Sequence, residues 1–157
     1  MGTLHRLQRL MEAADIRFMQ MAMQQAREAE TLGEIPIGAV IVCQSLVIAK
    51  AHNQTEMLHD VTAHAEMLAL TAAANFLGSK YLKDCDLYVT VEPCPMCAGA
   101  LYWAQLRKVV YAAPDHKRGF SVLNKALMHP KTQVIGGVME QEAKMLMTDF
   151  FRKKRKN

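Results

Sequence analysis

The hydrophobic positions of this chain follow two spacings, one typical of strands and one typical of helices. Short β-branched runs between polar or turn residues predict five strands, over residues 37–43, 46–51, 86–91, 109–112 and 133–138. Apolar residues at helical spacing predict five helices. These cover residues 15–32, a stretch from Asp60 or Thr62 to 78, and residues 94–105, 122–128 and 139–155. The pattern is that of an α/β protein.

The order of the elements predicts how the strands pair. Only Gln44-Ser45 separates the first two strands, which indicates a hairpin. The strand over 86–91 and the strand over 109–112 are linked by a helix, and such a crossover requires the two strands to be parallel. We therefore expect a mixed sheet of about five strands.

The chain has 157 residues, the length of a single domain, and no internal repeat, low-complexity segment or linker divides it. We predict one domain over residues 1–157. Residues 1–14 form an N-terminal extension that is either a short amphipathic helix or frayed, and residues 152–157 form a basic tail. No stretch approaches the roughly 20 apolar residues of a membrane span, so we expect no membrane partner.

Charge and cysteine usage indicate the kind of partner and the cellular compartment. Five positive charges lie in residues 152–156, and the rest of the chain has a net charge of −1 out of the total of +4. This favours one local anionic partner surface, although a solvated tail is the simpler alternative. Cys43 and Cys85 lie in apolar runs and the other two cysteines have metal-ligand spacing, which predicts a reducing, cytoplasmic location.

Two cysteines three residues apart and an upstream histidine predict a metal site. Cys94 and Cys97 share one helical turn, so both sulfurs can reach one ion. The thiolate is the form that ligates, and a helix N-terminus lowers the thiol pKa. Cys94 stands at a predicted N-cap, with Pro95 at the first helical position. His64 completes a His/Cys/Cys set that suits Zn²⁺.

Three protein ligands are typical of a catalytic zinc site, where the fourth position is left for water. Glu66 and His64 would point roughly 200° apart on an ideal helix, so we expect Glu66 to carry protons rather than to bind the ion. Two alternatives are a pair of reduced core thiols beside a surface histidine, and a closed structural zinc site. The closed site needs a fourth ligand from among Cys43, Cys85, His52, His59, His116 and His129.

His-x-Glu upstream of Pro-Cys-x-x-Cys is the signature of the zinc deaminases. The chain resembles the cytidine deaminase superfamily and, within it, the bacterial tRNA-specific adenosine deaminases of the TadA-like type. The resemblance extends from about Asp15 to Lys154. It rests on residues 34–40, 52–53, 62–66, 91–100 and 149–152, the last of which points to the tRNA branch.

The resemblance implies a three-layer α/β/α fold of the cytidine deaminase type and one Zn²⁺ per subunit, held by His64, Cys94 and Cys97. It implies hydrolytic deamination of adenosine to inosine at the wobble position of tRNA anticodon loops, with Glu66 moving the protons. The partner is then a tRNA anticodon stem-loop, and the expected form is a homodimer. Candidates for the dimer interface are Leu101, Tyr102 and Trp103.

Five residues are candidate substrate contacts, each with a structural alternative. Asn53 ends a strand and offers an amide to a base edge or ribose, or is a turn residue. Asp115 can accept from a ribose 2′-OH and Lys117 can meet a phosphate, or their loop is simply polar. Phe151 can stack on a nucleobase or pack in the core, and Arg152 begins the basic run.

Two further charged residues lie near these candidates. Arg118 follows Lys117 and can also meet a phosphate. Glu34 lies near the site entrance in the family, although an exposed turn is the alternative environment for it.

Two other functions fit parts of the sequence. The tetrapeptide Leu101-Tyr102-Trp103-Ala104 resembles guanine deaminases, so a free-nucleobase deaminase acting on guanine or cytosine is the rival enzyme. Pro114 stands beside Asp115, where tRNA-acting relatives often carry a basic residue. The second alternative is a zinc-stabilised RNA-binding module without catalysis, which would need a fourth protein ligand.

Overall fold

The computed structural model describes residues 2–156. The helices are α1 (Gly2–Thr31), α2 (Ala65–Leu77), α3 (Pro95–Ala104), α4 (Phe120–Leu123) and α5 (Glu140–Lys156), with a 3₁₀ helix over Lys125–Leu127. The strands are β1 (Gly38–Cys43), β2 (Leu46–His52), β3 (Cys85–Val91), β4 (Lys108–Ala113) and β5 (Gln133–Gly136). Over residues 2–156, none of the helices combines the length and apolar character that a membrane crossing requires.

The strands form a mixed sheet in the order β2-β1-β3-β4-β5. β1 is antiparallel to both β2 and β3, whereas β3 with β4 and β4 with β5 are parallel. The predicted hairpin is confirmed, and its turn residues Gln44 and Ser45 have φ of 51° and 66°. Positive φ at both positions is the type I′ conformation that matches strand twist. The parallel pairing across α3 is also confirmed.

Helices cover both faces of the sheet, which confirms the three-layer α/β/α arrangement. Small side chains of α2 and α3 pack on one face, and α1 and α5 pack on the other. The helix residues in these two cores include Ala65, Ala69, Ala98 and Leu101 on the first face and Phe18, Met19, Ala22 and Ala143 on the second. Every residue of β3 is buried, as expected for a central strand covered on both sides.

The expected helix start at Asp15 is wrong, because α1 runs without a break from Gly2. Residues 3–14 contain neither proline nor glycine and are rich in helix formers, so nothing ends the helix there. Asp15 is a buried mid-helix residue instead of an N-cap. Its Oδ1 accepts hydrogen bonds from the Tyr88 hydroxyl (2.6 Å) and from Nζ of Lys108 (3.0 Å).

The start of α2 also differs from the expectation. The N-cap is His64, whereas Asp60 Oδ1 accepts hydrogen bonds from the Thr62 backbone N–H (2.8 Å) and hydroxyl (2.7 Å). This local turn competes with helix formation and delays the helix start. The helix ends at Leu77 and is followed by Gly78, which has the left-handed conformation expected of a C-cap (φ 64°).

Two C-terminal elements differ as well. The helix expected over 122–128 is divided into α4 and the 3₁₀ helix by Asn124, whose extended backbone (φ −168°, ψ 120°) interrupts the helical turns. Residues 152–156 continue α5 instead of forming a separate tail, and residues 1 and 157 lie outside the described residues.

The parallel strands place candidate site residues at one edge of the sheet. β3 ends at Val91 and β4 ends at Ala113, and their carboxyl ends meet at the same edge. Cys94 follows the first strand end and the loop over residues 114–119 follows the second. Ligands of open α/β sheets gather at this kind of edge.

Candidate active site

Three ligand atoms meet between the starts of α2 and α3. The ring nitrogen of His64 and the sulfurs of Cys94 and Cys97 all lie within 4.8 Å of one another. Nδ1 of His64 is 3.7 Å from Sγ of Cys94 and 3.5 Å from Sγ of Cys97. One nitrogen and two sulfurs in this arrangement can hold a metal ion. Among the metal ions that proteins commonly bind, soft sulfur donors favour zinc.

The local backbone explains why these side chains converge. His64 and Cys94 are the N-caps of α2 and α3, with extended backbones (ψ 153° and 169°). Neither side chain caps its own helix by a hydrogen bond, so both are directed to the shared site. Pro95 occupies the first turn of α3 as predicted, and Cys97 lies in the same turn.

The charges of the ligand residues are coupled. A hydrogen bond from the Cys97 thiol, followed by one from His64, lowers the pKa of Cys94 to about 4. The same hydrogen bond to Cys94, together with burial, raises the pKa of Cys97. The hydrogen bond to Cys94 also raises the pKa of His64. One thiolate is therefore already favoured before a metal binds, which is the form that ligates.

The alternative fourth ligands do not join this group. Among residues 2–156, His64, Cys94 and Cys97 are the members of the candidate metal cluster. Nδ1 of His52 is 3.0 Å from the carbonyl oxygen of Asn53, and His129 packs against Tyr102 at a ring distance of 5.0 Å. The described residues thus offer three protein ligands.

Glu66 lies in the first turn of α2 and is buried. It lines the same cavity as His64 and Cys94. The ideal helical angle of about 200° between Glu66 and His64 does not apply here, because His64 is the N-cap and stands outside the helix. Burial raises the pKa of the Glu66 carboxyl, partly offset by a hydrogen bond from its own backbone N–H.

The cavity beside this cluster has a volume of about 740 Å³ and contains three of the five candidate substrate residues. Asp115, Lys117 and Phe151 are among its lining residues. Asn53 is buried and lines an adjoining space of about 100 Å³ together with His64 and Glu66. Arg152 is not among the lining residues and forms an ion pair with Asp149 (2.9 Å).

The loop after β4 has an internal hydrogen-bond pattern. Oδ1 of Asp115 accepts from the backbone N–H groups of Lys117 (3.0 Å) and Arg118 (2.9 Å). Arg118 also lines the cavity. Asp115 therefore shapes the loop that carries two cations to the cavity, whatever else it contacts.

Sequence reasoning did not predict that two glutamates, Glu34 and Glu92, are buried. Glu34 is 1% exposed, so the alternative of an exposed turn is wrong. Its carboxyl oxygens accept from the backbone N–H groups of Glu56 (2.8 Å) and Met57 (3.3 Å). Glu92 is 5% exposed and accepts from the loop after β4. Glu92 stands just before Pro93 and Glu34 stands two residues before Pro36, but this local sequence does not reveal the backbone donors that each glutamate meets.

Comparison with known proteins places this site in a family. The MafB19-like deaminase family matches residues 13–155. A tRNA-specific adenosine deaminase from Aquifex aeolicus is 42% identical over 145 residues, which span 89% of this chain and 95% of that protein. This chain belongs to the tRNA-specific adenosine deaminase family. The resemblance expected from the motifs is thereby confirmed.

Two solved structures at 40% identity share the fold of this chain. One, from a study of A-to-I editing by tRNA deaminases at the wobble position of transfer RNA, has 40% identity and a TM-score of 0.77. The match covers 83% of this chain and 98% of that one. The guanine deaminase from Bacillus subtilis is also 40% identical, over 69% of this chain and 73% of its own, with a TM-score of 0.63.

Proposed function

We propose that this protein is a zinc-dependent hydrolase that converts adenosine to inosine at the wobble position of a tRNA anticodon loop. The observation that carries the proposal is the cluster of His64, Cys94 and Cys97 beside a cavity that Glu66 also lines. The 42% identity to the Aquifex aeolicus tRNA-specific adenosine deaminase, over 95% of that protein, supports the choice of substrate.

His64, Cys94 and Cys97 would hold one Zn²⁺. The three ligand atoms already lie within 4.8 Å of one another, and one of the two thiols is poised as thiolate. When bound, the zinc ion supplies a Lewis acid that makes water acidic enough to act as a nucleophile near neutral pH.

Glu66 is the residue we assign to proton transfer. Its carboxyl group takes a proton from the attacking water and delivers it to the adenine ring nitrogen next to C6. It then helps to protonate the amino group, which leaves as ammonia. Burial at the cavity wall keeps bulk water from competing for these protons.

The remaining site residues are assigned to substrate binding. Asn53 would contact the base or ribose from the adjoining space. Asp115 would accept from a ribose 2′-OH through Oδ2, since Oδ1 is already occupied by two backbone donors. Lys117 would meet a phosphate, Phe151 would stack on a base, and Arg152 would contact phosphate outside the cavity.

We propose that the protein works as a homodimer. Trp103 is 73% exposed and packs edge-to-face against Tyr102, so together they present an apolar surface suited to a second copy. Leu101 is fully buried and is not an interface candidate, contrary to the expectation from sequence. Sedimentation of dilute protein and of Trp103→Glu tests this, and a monomeric unsubstituted protein contradicts it.

We propose a cytoplasmic location, because the tRNA substrate is found there. All four cysteines are free of disulfides, which is consistent with a reducing compartment.

The test of the proposed activity is a deamination assay on three substrates. Zinc-loaded protein is incubated with an adenosine-bearing anticodon stem-loop, with guanine and with cytosine, and released ammonia and inosine are measured. We expect product from the stem-loop only. A stem-loop that already carries inosine at that position is the matched control, and it should release no ammonia.

The rival activity is deamination of free guanine. Similarity to the Bacillus subtilis guanine deaminase and the Leu101-Tyr102-Trp103-Ala104 stretch favour it. Trp103 is not among the residues that line the cavity, and α5 supplies Met147 and Phe151 to the cavity wall. Ammonia from guanine without inosine from the stem-loop would establish the rival in place of our proposal.

A further inference from the structure

Glu92 is a buried acidic residue to which the mechanism above assigns no step. It follows β3 directly, and its backbone N–H extends the pairing with β4 by donating to the carbonyl of Ala113 (2.8 Å). Its side chain is 5% exposed, and no cation among residues 2–156 forms an ion pair with it. A buried carboxyl group without such a partner must be satisfied by hydrogen-bond donors.

The donors to Glu92 all come from one segment, residues 115–121. Oε1 accepts from the backbone N–H of Asp115 (3.2 Å). Oε2 accepts from the backbone N–H (3.0 Å) and the hydroxyl (2.7 Å) of Ser121. One side chain therefore holds both ends of the segment.

Hydrogen bonds within the segment connect the residues held by Glu92 to the residues that line the cavity. Asp115, held by Glu92, accepts from the backbone N–H groups of Lys117 and Arg118. The carbonyl of Asp115 accepts from Gly119 (2.9 Å), and the carbonyl of Pro93 accepts from Phe120 (2.9 Å). The two cations of the segment both line the cavity, so their position depends on these contacts.

Gly119 makes the close approach to Glu92 possible. Its backbone angles (φ −63°, ψ 147°) are open to any residue, so its conformation does not require glycine. A Cβ built at this position would overlap both the carboxyl group of Glu92 and the backbone carbonyl oxygen of Asp115. Residue 119 must therefore be small because there is no room for a side chain, and not because of its backbone conformation.

We infer that Glu92 is a positioning residue that fixes residues 115–121 so that Lys117 and Arg118 face a phosphate-bearing substrate at the cavity. Glu92 thereby sets the affinity for a polyanion without touching the reacting atoms. This inference rests on the proposed function, because it deepens how the same site selects an RNA strand over a free base.

The experiment removes the Glu92 contacts from either side. In Glu92→Gln one oxygen becomes an NH₂ group that faces backbone donors, so at least one end of the segment is released. Gly119→Ala displaces both the carboxyl group of Glu92 and the backbone at Asp115, so it moves the segment from the other side of the same contact. Ser121→Ala removes a single hydrogen bond. For zinc-loaded protein we expect KM for the adenosine stem-loop to rise roughly tenfold in the first two variants and less in the third.

The readouts separate positioning from general damage. We expect zinc content to be unchanged, kcat to stay within about twofold, and the slope of log affinity against log salt to fall by about 1, since phosphate contacts are lost. In a Lys117→Ala/Arg118→Ala background, Glu92→Gln should raise KM no further. Thr132→Val is the matched control, because its buried hydroxyl bonds Leu106 (2.6 Å) away from the cavity, and KM should not change.

The outcomes of this experiment separate the two proposals. Absence of inosine with the unsubstituted protein refutes the proposed function itself. An active protein in which Glu92→Gln and Gly119→Ala leave KM and salt slope unchanged refutes the positioning role alone. A fall in kcat or in zinc content at constant KM also refutes it, because the contacts would then support the metal site. Should Glu92→Gln fail to fold, Ser121→Ala decides by the same criteria, because it removes a contact of Glu92 without touching the segment's backbone.

Discussion

Asp15 on α1 and Lys108 at the start of β4 form a buried ion pair, with 3.0 Å between Oδ1 and Nζ. The same oxygen accepts the Tyr88 hydroxyl, and burial followed by this hydrogen bond raises the pKa of Tyr88. One carboxylate thus connects a helix to two neighbouring strands, at positions 73 and 93 residues further along the chain.

Asp15→Ala is expected to lower the free energy of unfolding by about 3–5 kcal/mol, because it leaves a buried ammonium group without its main partner. Urea unfolding followed by circular dichroism measures this. The matched control is Asp149→Ala, which removes an exposed pair with Arg152 and should cost less than about 1 kcal/mol. A loss below about 1 kcal/mol for Asp15→Ala would show that Asp86, 4.0 Å from the same ammonium, compensates.

Glu66→Gln is expected to retain zinc and to lose turnover by roughly 10²–10⁴-fold, because the amide keeps the shape of the side chain but cannot carry the proton. Ammonia release and metal content, measured on the same preparation, test this. An active Glu66→Gln enzyme would mean that another group moves the protons.

Cys94→Ser is expected to lose metal and activity together, because serine supplies no thiolate to a site with three protein ligands. Metal analysis after dialysis gives the occupancy. Cys43→Ser serves as the control, since Cys43 lies outside the metal group and should leave occupancy unchanged. Full occupancy in Cys94→Ser would show that a different residue holds the ion.

Phe151→Ala and Arg152→Ala are expected to differ although the residues are adjacent. Phe151 lines the cavity and Arg152 does not. Loss of one stacking platform costs about 1–3 kcal/mol, which is roughly a 5- to 150-fold rise in KM for the stem-loop. For Arg152→Ala we expect a smaller rise that vanishes at high salt. Equal effects of both variants would argue against stacking.

Cys85 should make the folded protein less stable in alkali. Burial raises the pKa of its thiol above the ordinary value of 9.0, and a hydrogen bond with Cys43 adds to this. The unfolded chain releases this proton above about pH 9 while the folded chain keeps it, so stability falls as pH rises. Between pH 8 and pH 10 this group removes about 1.4 kcal/mol.

The measurement is urea unfolding of the unsubstituted protein and Cys85→Ala at both pH values. Cys85→Ala should lose about 1.4 kcal/mol less across this interval. Val109→Ala, another fully buried position, creates a comparable cavity without a thiol and should keep the full pH dependence. The same pH dependence in all three proteins would contradict the assignment.

Local signals in the sequence were sufficient for the strands and for the metal cluster. The Cys94-Pro95 start of α3 is a cap signal that needs no distant contact, and the crossover through α3 makes β3 and β4 parallel. His64 and the cysteine pair are recognisable because metal chemistry restricts their residue types and spacing.

Other features depend on contacts that no local pattern contains. Aspartate is a residue type preferred at N-caps. The partners of Asp15, Tyr88 and Lys108, are far along the chain and make it a core residue. The buried carboxyl groups of Glu34 and Glu92 accept hydrogen bonds from backbone N–H groups 22 to 29 residues away. Every non-proline residue has such a donor, so residue types alone do not reveal these contacts.

The extended N-cap positions of α2 and α3 carry a histidine and a cysteine whose side chains leave both helix ends uncapped. Serine, threonine, aspartate or asparagine at such positions typically stabilises a helix by about 1 kcal/mol. Substituting the two ligands with those residues is therefore expected to make the metal-free protein more heat-resistant while abolishing metal binding. At these two positions the requirements of thermal endurance and of chemistry oppose each other.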